Sequence, residues 1–249
     1  MSTITKLVFN FQRKCYSTVG MEIMKRARRK AECVYNVDDP VTLSIARECL
    51  MAGSVIGLPT DTVYGFACNA NNETAIRHLY TIKGRNFDKP VAICVKNIAD
   101  FRKYGQANHL SDTLLESLLP GPITIIVQRS EHLNNRFLNP NTIKIGIRIP
   151  KSQFIQDLCS LYDEQPLALT SANRSSERSS LNIQEFKELW PMLGGIFDAG
   201  QIGNSEESRF ASTVIDLTQP GFYQIIRDGV ALKQTLDILH LYGLEPKCF

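Results

Sequence analysis

The sequence predicts a single α/β domain built on one open, twisted, mixed sheet that is flanked by helices. Short β-rich runs alternate along the chain with helical periodicities. Their order is mixed rather than a strict β-α-β repeat, which favours antiparallel as well as parallel strand pairs. Of the 249 residues, 43% are hydrophobic and 21% are charged, so extensive disorder is excluded. This length suits one large domain better than two small ones.

The helices are predicted from apolar side chains at helical spacing and from capping residues. A first helix is expected after Asp38-Asp39-Pro40, which supply an N-cap and a proline at the first helical position, and it ends at Gly53. Asn71 or Asn72 caps a second helix, which runs to about Ile82. Further helices are predicted over residues 97–104, 111–119, 152–162, 182–190 (ended by Pro191) and 231–242.

The strands are predicted where short apolar runs are rich in β-branched residues. The run 143–149 is the clearest example, because its isoleucines alternate with Lys144, Gly146 and Arg148. The polar, glycine-containing stretch 200–211 is predicted to be a mobile surface loop. The other strands are expected at residues 55–58, 91–95, 123–127, 167–170, 196–198, 213–217 and 223–226.

The first 33 residues differ from the remainder in charge. They contain eight Lys or Arg against two Glu, whereas residues 34–249 contain 20 basic and 23 acidic residues. Three cations precede the first acid, Glu22, among serines, threonines and scattered apolar residues. This composition is typical of a mitochondrial transit peptide, and a disordered N-terminal extension is the alternative. We expect this segment to lie outside the fold, and a second start at Met21 or Met24 would produce a form without it.

Several classes of protein and site are disfavoured by what the sequence lacks. Seven cysteines without a C-x-x-C pair indicate a reducing compartment rather than a disulfide framework. The four histidines are scattered, so we expect no metal site held by the protein. No apolar run approaches the roughly 18–20 residues of a membrane-spanning helix. A nucleophile elbow, a Walker loop and a dinucleotide fingerprint are also missing.

Polar clusters at the ends of the predicted strands are the candidate ligand-binding positions. Lys83, Arg85 and Lys89 follow a helix end, where they either complement the helix dipole or converge on a polyphosphate. Arg148 interrupts an isoleucine-rich strand; it either faces solvent or makes a bidentate contact with a carboxylate. The hydroxyl-rich turn 170–176 either binds an anion through backbone N–H groups or only caps the next element. Together they predict a cationic, hydroxyl-lined cleft that catalyses by positioning and charge neutralisation.

Seven stretches follow one another in the order of a known family: PTDTVYG (59–65), KGR with KP (83–90), PGPIT (120–124), GIRIP (146–150), LTSAN (169–173), STVID (212–216) and IIRDG (225–229). On these stretches the chain resembles the YrdC-like threonylcarbamoyl-AMP synthases over most of 41–229. Residues 34–249 are therefore expected to form one YrdC-like catalytic domain around a concave basic cleft. Residues 181–191 and 200–203 are similar to the animal-type branch. Asn86 departs from the pattern, since many relatives have proline there.

The resemblance implies a nucleotidyltransferase that joins L-threonine, bicarbonate and ATP into threonylcarbamoyl-AMP and releases pyrophosphate. A separate transferase complex then passes the threonylcarbamoyl group to tRNAs that read codons beginning with A. The expected partners are these three substrates, that complex and, through a weak contact, tRNA. Because organelles with their own tRNAs need the same modification, we expect both cytoplasmic and mitochondrial forms.

The resemblance also implies roles for individual residues. Lys83 and Arg85 are the expected catalytic residues, which grip the triphosphate together with a Mg²⁺ ion that the phosphates mainly hold. Arg148 is expected to pair with the carboxylate of threonine. The full sets are Lys83, Arg85, Lys89, Ser171, Asn173 and Arg227 for ATP, and Thr62, Arg148 and Ser212 for threonine.

Two other functions are weighed against this one. A module that binds double-stranded RNA or tRNA without turnover would bind with steep salt dependence, and the net charge of −3 over residues 34–249 disfavours it. A carbamoyl-transfer module of hydrolase maturation would normally bring zinc-finger or acylphosphatase-like domains, for which this chain has neither the cysteine pairs nor the length.

Overall fold

The computed structural model describes residues 33–84, 89–162 and 165–247. The chain divides into two units, residues 1–34 and residues 35–249. Nearly all of the first unit, including the predicted targeting segment, lies outside the described residues, and so does Arg85. Within the described ranges no helix is long and apolar enough to cross a bilayer.

Each helix and strand predicted from the sequence is present as a helical or extended segment, with ends that shift by one or two residues. Four strands (Val34–Asn36, Gly65–Asn69, Gly105–Gln106 and Glu245–Pro246) and the short helix Glu207–Phe210 were not predicted. The helices are α1 (Thr42–Met51), α2 (Glu73–Lys83), α3 (Ile98–Tyr104), α4 (Asp112–Leu118), α5 (Gln153–Leu161) and α6 (Leu232–Leu241), with 3₁₀ helices at Ile183–Met192 and Glu207–Phe210. The strands are β1 (Val34–Asn36), β2 (Ile56–Leu58), β3 (Gly65–Asn69), β4 (Ala92–Cys94), β5 (Gly105–Gln106), β6 (Ile123–Arg129), β7 (Lys144–Arg148), β8 (Leu167–Ser171), β9 (Gly195–Asp198), β10 (Thr213–Asp216), β11 (Phe222–Arg227) and β12 (Glu245–Pro246).

The strands form one mixed sheet, as predicted. Its order is β1-β9-β2-β3-β8-β4-β7-β6-β10-β11-β12, and β5 pairs with β6 outside this path. Parallel pairs such as β4–β7 and β6–β10 alternate with antiparallel pairs such as β4–β8 and β6–β7. Strands that are distant in the chain therefore become neighbours, and this brings the separate polar clusters to one region of the sheet.

Hydrophobic packing anchors helices α1 and α5 to the sheet. Leu50 of α1 and Leu158 of α5 share a buried cluster with Leu58, Phe197 and other residues of the strands. Burying a side chain of this size contributes about 1.5–3 kcal/mol. This cluster makes the central strands a rigid support for side chains that project from their ends.

Strand β3 is the longest strand that was not predicted from the sequence. Its residues Gly65–Asn69 contain no β-branched side chain. Apolar and polar residues do not alternate in it either, because four of the five residues are buried in this strand between β2 and β8. A strand that is covered on both faces lacks the period-two pattern from which strands are predicted.

The N-terminus of α1 and the helix at 182–190 differ from prediction in detail. Helix α1 begins at Thr42 without a side-chain cap, because the Asp39 carboxylate accepts instead from the Val41 N–H (3.1 Å) in a preceding turn. The predicted helix over 182–190 is a 3₁₀ segment that continues through Pro191, since non-helical angles at Phe186 divide it in two. Pro191 therefore lies inside the second part of this segment, one residue before its end at Met192, and does not end the helix as predicted.

Candidate active site

A cleft of about 600 Å³ opens over the central strands. Its floor contains alternate residues of two neighbouring strands, Thr124 and Ile126 of β6 and Gly146 and Arg148 of β7. A methyl group at Gly146 would lie 3.0 Å from the Thr124 methyl, so this glycine keeps the floor open. The site was expected at the strand ends, whereas the cleft also covers part of the sheet face.

Polar and charged side chains line much of the cleft. Among the described lining residues four are cations and one, Glu177, is an acid. The polar and charged members are Thr60, Tyr64, Lys83, Lys89, Thr124, Arg148, Thr170, Ser171, Asn173, Ser175, Ser176, Glu177, Ser179, Ser212 and Arg227.

Lys83 is the last residue of α2 and is buried against the end of β8. Asn72 caps the start of this helix, as predicted, and Gly84 ends it with a φ of 54°. The Lys83 ammonium donates to the Ser171 carbonyl (2.6 Å) and lies 3.4 Å from both the Ser171 hydroxyl and the Asn173 Oδ1. Lys83 is only 3% exposed, so it is a buried cation that the burial pattern of the sequence did not indicate. These three acceptors hold the positive charge of Lys83 in a fixed position beside the cleft, as electrostatic stabilisation of developing negative charge requires.

Lys89 lies on the same side of the cleft but is exposed. Its ammonium is 3.4 Å from the Ser175 hydroxyl and 3.3 Å from that of Ser176. Asn173 shapes this serine loop, because its Nδ2 donates to the carbonyls of Arg174 (2.6 Å) and Glu177 (2.8 Å). The carboxamide of Asn173 thus contacts Lys83 through its oxygen and holds the loop facing Lys89 through its nitrogen.

Arg148 lies at the end of β7 in a buried ion pair with Asp61. The Nη2 of Arg148 donates to Asp61 Oδ1 and to the Thr62 hydroxyl (3.0 Å). Its Nε is buried and has no hydrogen-bond partner in the described part of the chain. Both bidentate edges of a guanidinium use an Nη2 proton. A bidentate contact with a ligand carboxylate, as expected from the sequence, would therefore have to displace Asp61 or Thr62.

Ser212 and Arg227 form the other side of the cleft. Arg227 donates to the Ser212 carbonyl from Nε (3.0 Å) and Nη2 (2.7 Å), and Nη2 also donates to the Ser212 hydroxyl (2.9 Å). That hydroxyl is 2.9 Å from the Thr124 hydroxyl on β6. Gly229 permits this packing, because a Cβ there would lie 2.2 Å from the Thr213 nitrogen and 2.4 Å from the Ser212 carbonyl carbon.

The loop that was predicted over residues 200–211 borders the cleft through Ala211 and contains a 3₁₀ helix, Glu207–Phe210. Arg209 fastens it by donating to the Ser179 carbonyl (2.7 Å) and to Glu185 (2.6 Å). At its start the Tyr64 hydroxyl lies 2.7 Å from the Gly200 carbonyl. Burial raises the pKa of Tyr64 well above its ordinary value, so this phenol stays protonated at neutral pH.

The structure brings together most of the site residues that the sequence predicted. Thr62 is the exception among the described ones, because its hydroxyl contacts Arg148 without lining the cleft. Asp61, Thr124 and Glu177 had no predicted role. The place of Thr124 could have been inferred from strand alternation, because Thr124 and Ile126 lie on the same face of β6. The contact of Asp61 could not, because its partner Arg148 is 87 positions away in the chain. The predicted residues that line the cleft are Lys83, Lys89, Arg148, Ser171, Asn173, Ser212 and Arg227.

The sequence and the fold are similar to those of one known protein family. Residues 48–229 match the Sua5/YciO/YrdC family model, which is described as "telomere recombination". The chain belongs to the Sua5/YciO/YrdC family. The threonylcarbamoyl-AMP synthase of Homo sapiens is 50% identical to it over 200 residues, which are 79% of this chain and 71% of the human protein.

Solved structures of Sua5/YciO/YrdC proteins have the same fold. P. abyssi Sua5 complexed with L-threonine superposes with a TM-score of 0.73 and 25% identity, over 87% of this chain and 63% of the Sua5 chain. E. coli YciO superposes with a TM-score of 0.70 and 24% identity, over 79% of this chain and 94% of YciO. The YciO likeness concerns the fold alone.

Proposed function

We propose that this protein is a threonylcarbamoyl-AMP synthase, a transferase of the nucleotidyltransferase type that uses L-threonine, bicarbonate and ATP. One observation carries the proposal. Each of the seven stretches that resemble the family contributes at least one residue to the same 600 Å³ cleft, although they are spread over residues 59–229. The 50% identity to a human protein of that name supports the same conclusion.

The reaction needs two bonds to form. The amine of threonine attacks bicarbonate and water leaves, which produces a carbamate. A carbamate oxygen then attacks the α-phosphorus of ATP, and the bond from that phosphorus to the pyrophosphate oxygen breaks. Negative charge accumulates on the phosphate oxygens during this displacement, so fixed cations lower the barrier.

The cleft provides such cations on one side. Lys83 is held by Ser171 and Asn173, and Lys89 faces the hydroxyls of Ser175 and Ser176. We assign the triphosphate to this side, with Arg85 of the same motif as a further donor. This side of the cleft lies at the end of β8, and Ser212 lies at the start of β10. The two strands are four strand spacings apart in the sheet (β8-β4-β7-β6-β10), which corresponds to roughly 20 Å. The cleft is therefore long enough for a nucleotide and a small amino acid placed end to end.

Arg148 lies between these two sides, and we assign the carboxylate of threonine to it. Because Asp61 and Thr62 use its Nη2, the ligand would meet the Nη1 and Nε N–H groups singly. Ser212 would hydrogen-bond another polar group of threonine. A hydroxyl-binding site of this kind discriminates strongly against an analogue without the hydroxyl, because the polar groups of the protein are then left unpaired.

A Mg²⁺ ion bound with ATP is part of the proposal. Proteins usually hold Mg²⁺ through substrate phosphates, waters and one or two carboxylates. The donors present fit this arrangement, because the cleft provides the Glu177 carboxylate and several hydroxyls beside the two lysines. When bound, the ion would neutralise phosphate charge, while Lys83 and Lys89 would orient the phosphates.

The product, a mixed anhydride, is a suitable acyl donor for a later transferase. We propose that it supplies the threonylcarbamoyl complex that modifies tRNAs reading codons beginning with A, in the cytoplasm and in mitochondria, with at most a weak contact between this chain and tRNA.

The experiment that tests the function is a pyrophosphate-release assay with ATP, bicarbonate, Mg²⁺ and threonine. We expect release that requires threonine, a low but detectable rate with serine, and a still lower rate with 2-aminobutyrate, which lacks the hydroxyl. Pyrophosphate release that does not depend on threonine would overturn the proposal. Salt-sensitive RNA binding without any turnover would favour the RNA-binding alternative.

A further inference from the structure

Asn139 is a buried residue outside the cleft that is bonded to one of the cleft walls. Its side chain is 1% exposed, and Oδ1 accepts from the Val91 N–H (2.7 Å) while Nδ2 donates to the Val91 carbonyl (2.9 Å). Val91 lines the cleft directly before strand β4 and two residues after Lys89. The carboxamide therefore pairs with both backbone groups of Val91, as a neighbouring strand would do.

The same carboxamide is also bonded to helix α2. The Tyr80 hydroxyl donates to Asn139 Oδ1 (3.3 Å), and Tyr80 precedes Lys83 by three residues, which is nearly one helical turn. Asn139 is thus bonded to both chain segments that carry the phosphate-facing lysines.

The backbone of Asn139 is itself held in place. Arg129 at the end of β6 donates from Nη2 to the carbonyls of Asn139 (3.0 Å) and Thr142 (3.1 Å). Asn139 has a φ of 53°, a conformation that asparagine tolerates better than most residues. Strand β6, helix α2 and the start of β4 therefore meet at this one residue, β6 through its backbone and the other two through its side chain.

We infer that Asn139 is a positioning residue that sets the distance between Lys83 and Lys89. The inference rests on the proposed function in that it takes the ligand of these two lysines to be the ATP triphosphate. Asn139 acts through Tyr80 and Val91 and touches no substrate. Losing its carboxamide releases the Val91 end of the cleft wall, which moves Lys89 relative to Lys83.

The test compares two asparagines of the same loop. Asn139→Gly removes the carboxamide and keeps the left-handed backbone accessible. Asn135→Gly is the matched control, because Asn135 is also buried and makes two bonds to backbone groups, to Ala70 O (2.9 Å) and Phe137 N (2.9 Å), away from the cleft. The KM for ATP, the KM for threonine and the melting temperature are measured for both variants.

We expect Asn139→Gly to raise the KM for ATP about tenfold or more and to change the KM for threonine less than about twofold. Asn135→Gly should lower the melting temperature without changing either KM. Equal effects of the two variants on the KM for ATP, or equal effects of Asn139→Gly on both substrates, would show that Asn139 is only structural.

Two further measurements keep the result decisive. If Asn139→Gly does not fold, Tyr80→Phe replaces it. A two- to fivefold rise in the KM for ATP is expected for one lost hydrogen bond, and an unchanged KM for ATP overturns the inference.

ATP binding is also measured by calorimetry without threonine. If the wild type binds ATP but releases no pyrophosphate with threonine, the proposed function fails, and weaker ATP binding by Asn139→Gly alone still supports the positioning role.

Discussion

Asp61 holds Arg148 at the centre of the cleft through a buried ion pair. Both side chains are 8% exposed, and the second carboxylate oxygen of Asp61 accepts from the Lys151 N–H (2.9 Å). One carboxylate thus binds both the side chain at the end of β7 and the backbone that follows it. The turn at 59–63 and the strand that carries Arg148 are fixed to each other by this contact.

Asp61→Asn should therefore destabilise the protein more than the loss of a surface ion pair. It leaves the buried Arg148 charge without a counter-charge, which costs about 3 kcal/mol. Urea unfolding measures the loss, and pyrophosphate release should fall as well because Arg148 is no longer held. Arg178→Ala is the control, since its pair with Glu206 is largely exposed and should contribute nothing measurable. A free energy of unfolding of Asp61→Asn equal to that of the wild type would contradict the assignment.

Lys83→Met should lower the turnover at least a hundredfold, because removing a preorganised charge donor costs about 3–4 kcal/mol of transition-state stabilisation. The burial of Lys83 adds a second expectation. The Ser171 carbonyl and Asn173 Oδ1 lose a donor, so the melting temperature should fall too. Lys233→Met, on the exposed surface of α6, is the control for both measurements. Near-normal pyrophosphate release by Lys83→Met would remove Lys83 from the catalytic residues.

The same loss of turnover is expected for Arg85→Ala. This prediction rests on the KGR motif alone, since Arg85 lies outside the described residues. A rate within about threefold of the wild type would remove Arg85 from the catalytic residues.

Gly229→Ala should disrupt the Ser212 side of the cleft. The added methyl group would meet the backbone at Ser212 and Thr213, so these residues must shift and the bonds from Arg227 to Ser212 are lost. We expect a destabilisation of about 1–3 kcal/mol and a large loss of activity. At Gly121 the nearest atom to an added Cβ is 3.4 Å away, so Gly121→Ala should be tolerated. Equal stability of the two variants would refute the steric argument.

The free energy of unfolding is expected to depend on pH through Asp216. Burial by itself would raise the pKa of Asp216, but hydrogen bonds from Lys144 (2.7 Å) and Thr218 (2.6 Å) outweigh it, so the pKa lies below its ordinary value. A lowered pKa stabilises the fold above the unfolded-state pKa of about 3.9, and this contribution is lost as the pH falls further. Asp216→Asn should thus cost stability at neutral pH, and the difference from wild type should shrink near pH 3.

Urea unfolding of both proteins at the two pH values tests this. The exposed Glu116→Gln on α4 is the control and should show no difference at either pH. A stability difference for Asp216→Asn that stays constant from neutral to acid would show that the lost contribution is packing rather than charge.

Residues 1–20 should direct a reporter protein partly to mitochondria. The reason is the run of 20 residues with three Lys or Arg and no acid. The full-length protein and forms that start at Met21 or Met24 are each fused to the same fluorescent reporter and compared by microscopy. The shorter forms should stay in the cytosol. A reporter that remains entirely cytosolic would contradict the targeting role.

The sequence by itself determined the elements whose local pattern is strong. The alternation around Lys144, Gly146 and Arg148 predicts β7, and Asn72 predicts the start of α2, because periodicity and capping act over a few residues. It also indicated which residue types share a site, since the motifs occur in the family's order. Strand β3 could not be predicted, because four of its five residues are buried and the alternation of apolar and polar residues that identifies a strand is therefore missing.

Only the tertiary structure decided what each site residue contacts. Lys83 and Ser171 are 88 positions apart, and Arg148 and Asp61 are 87 apart. Their contacts follow from strand order and register, which bring β8, β4 and β7 together from distant parts of the chain. That pairing cannot be predicted from local sequence patterns, because it depends on hydrophobic burial over the whole sheet. The residue types of the cleft could therefore be predicted from the sequence, but the burial of Lys83 and the ion pair of Arg148 could not.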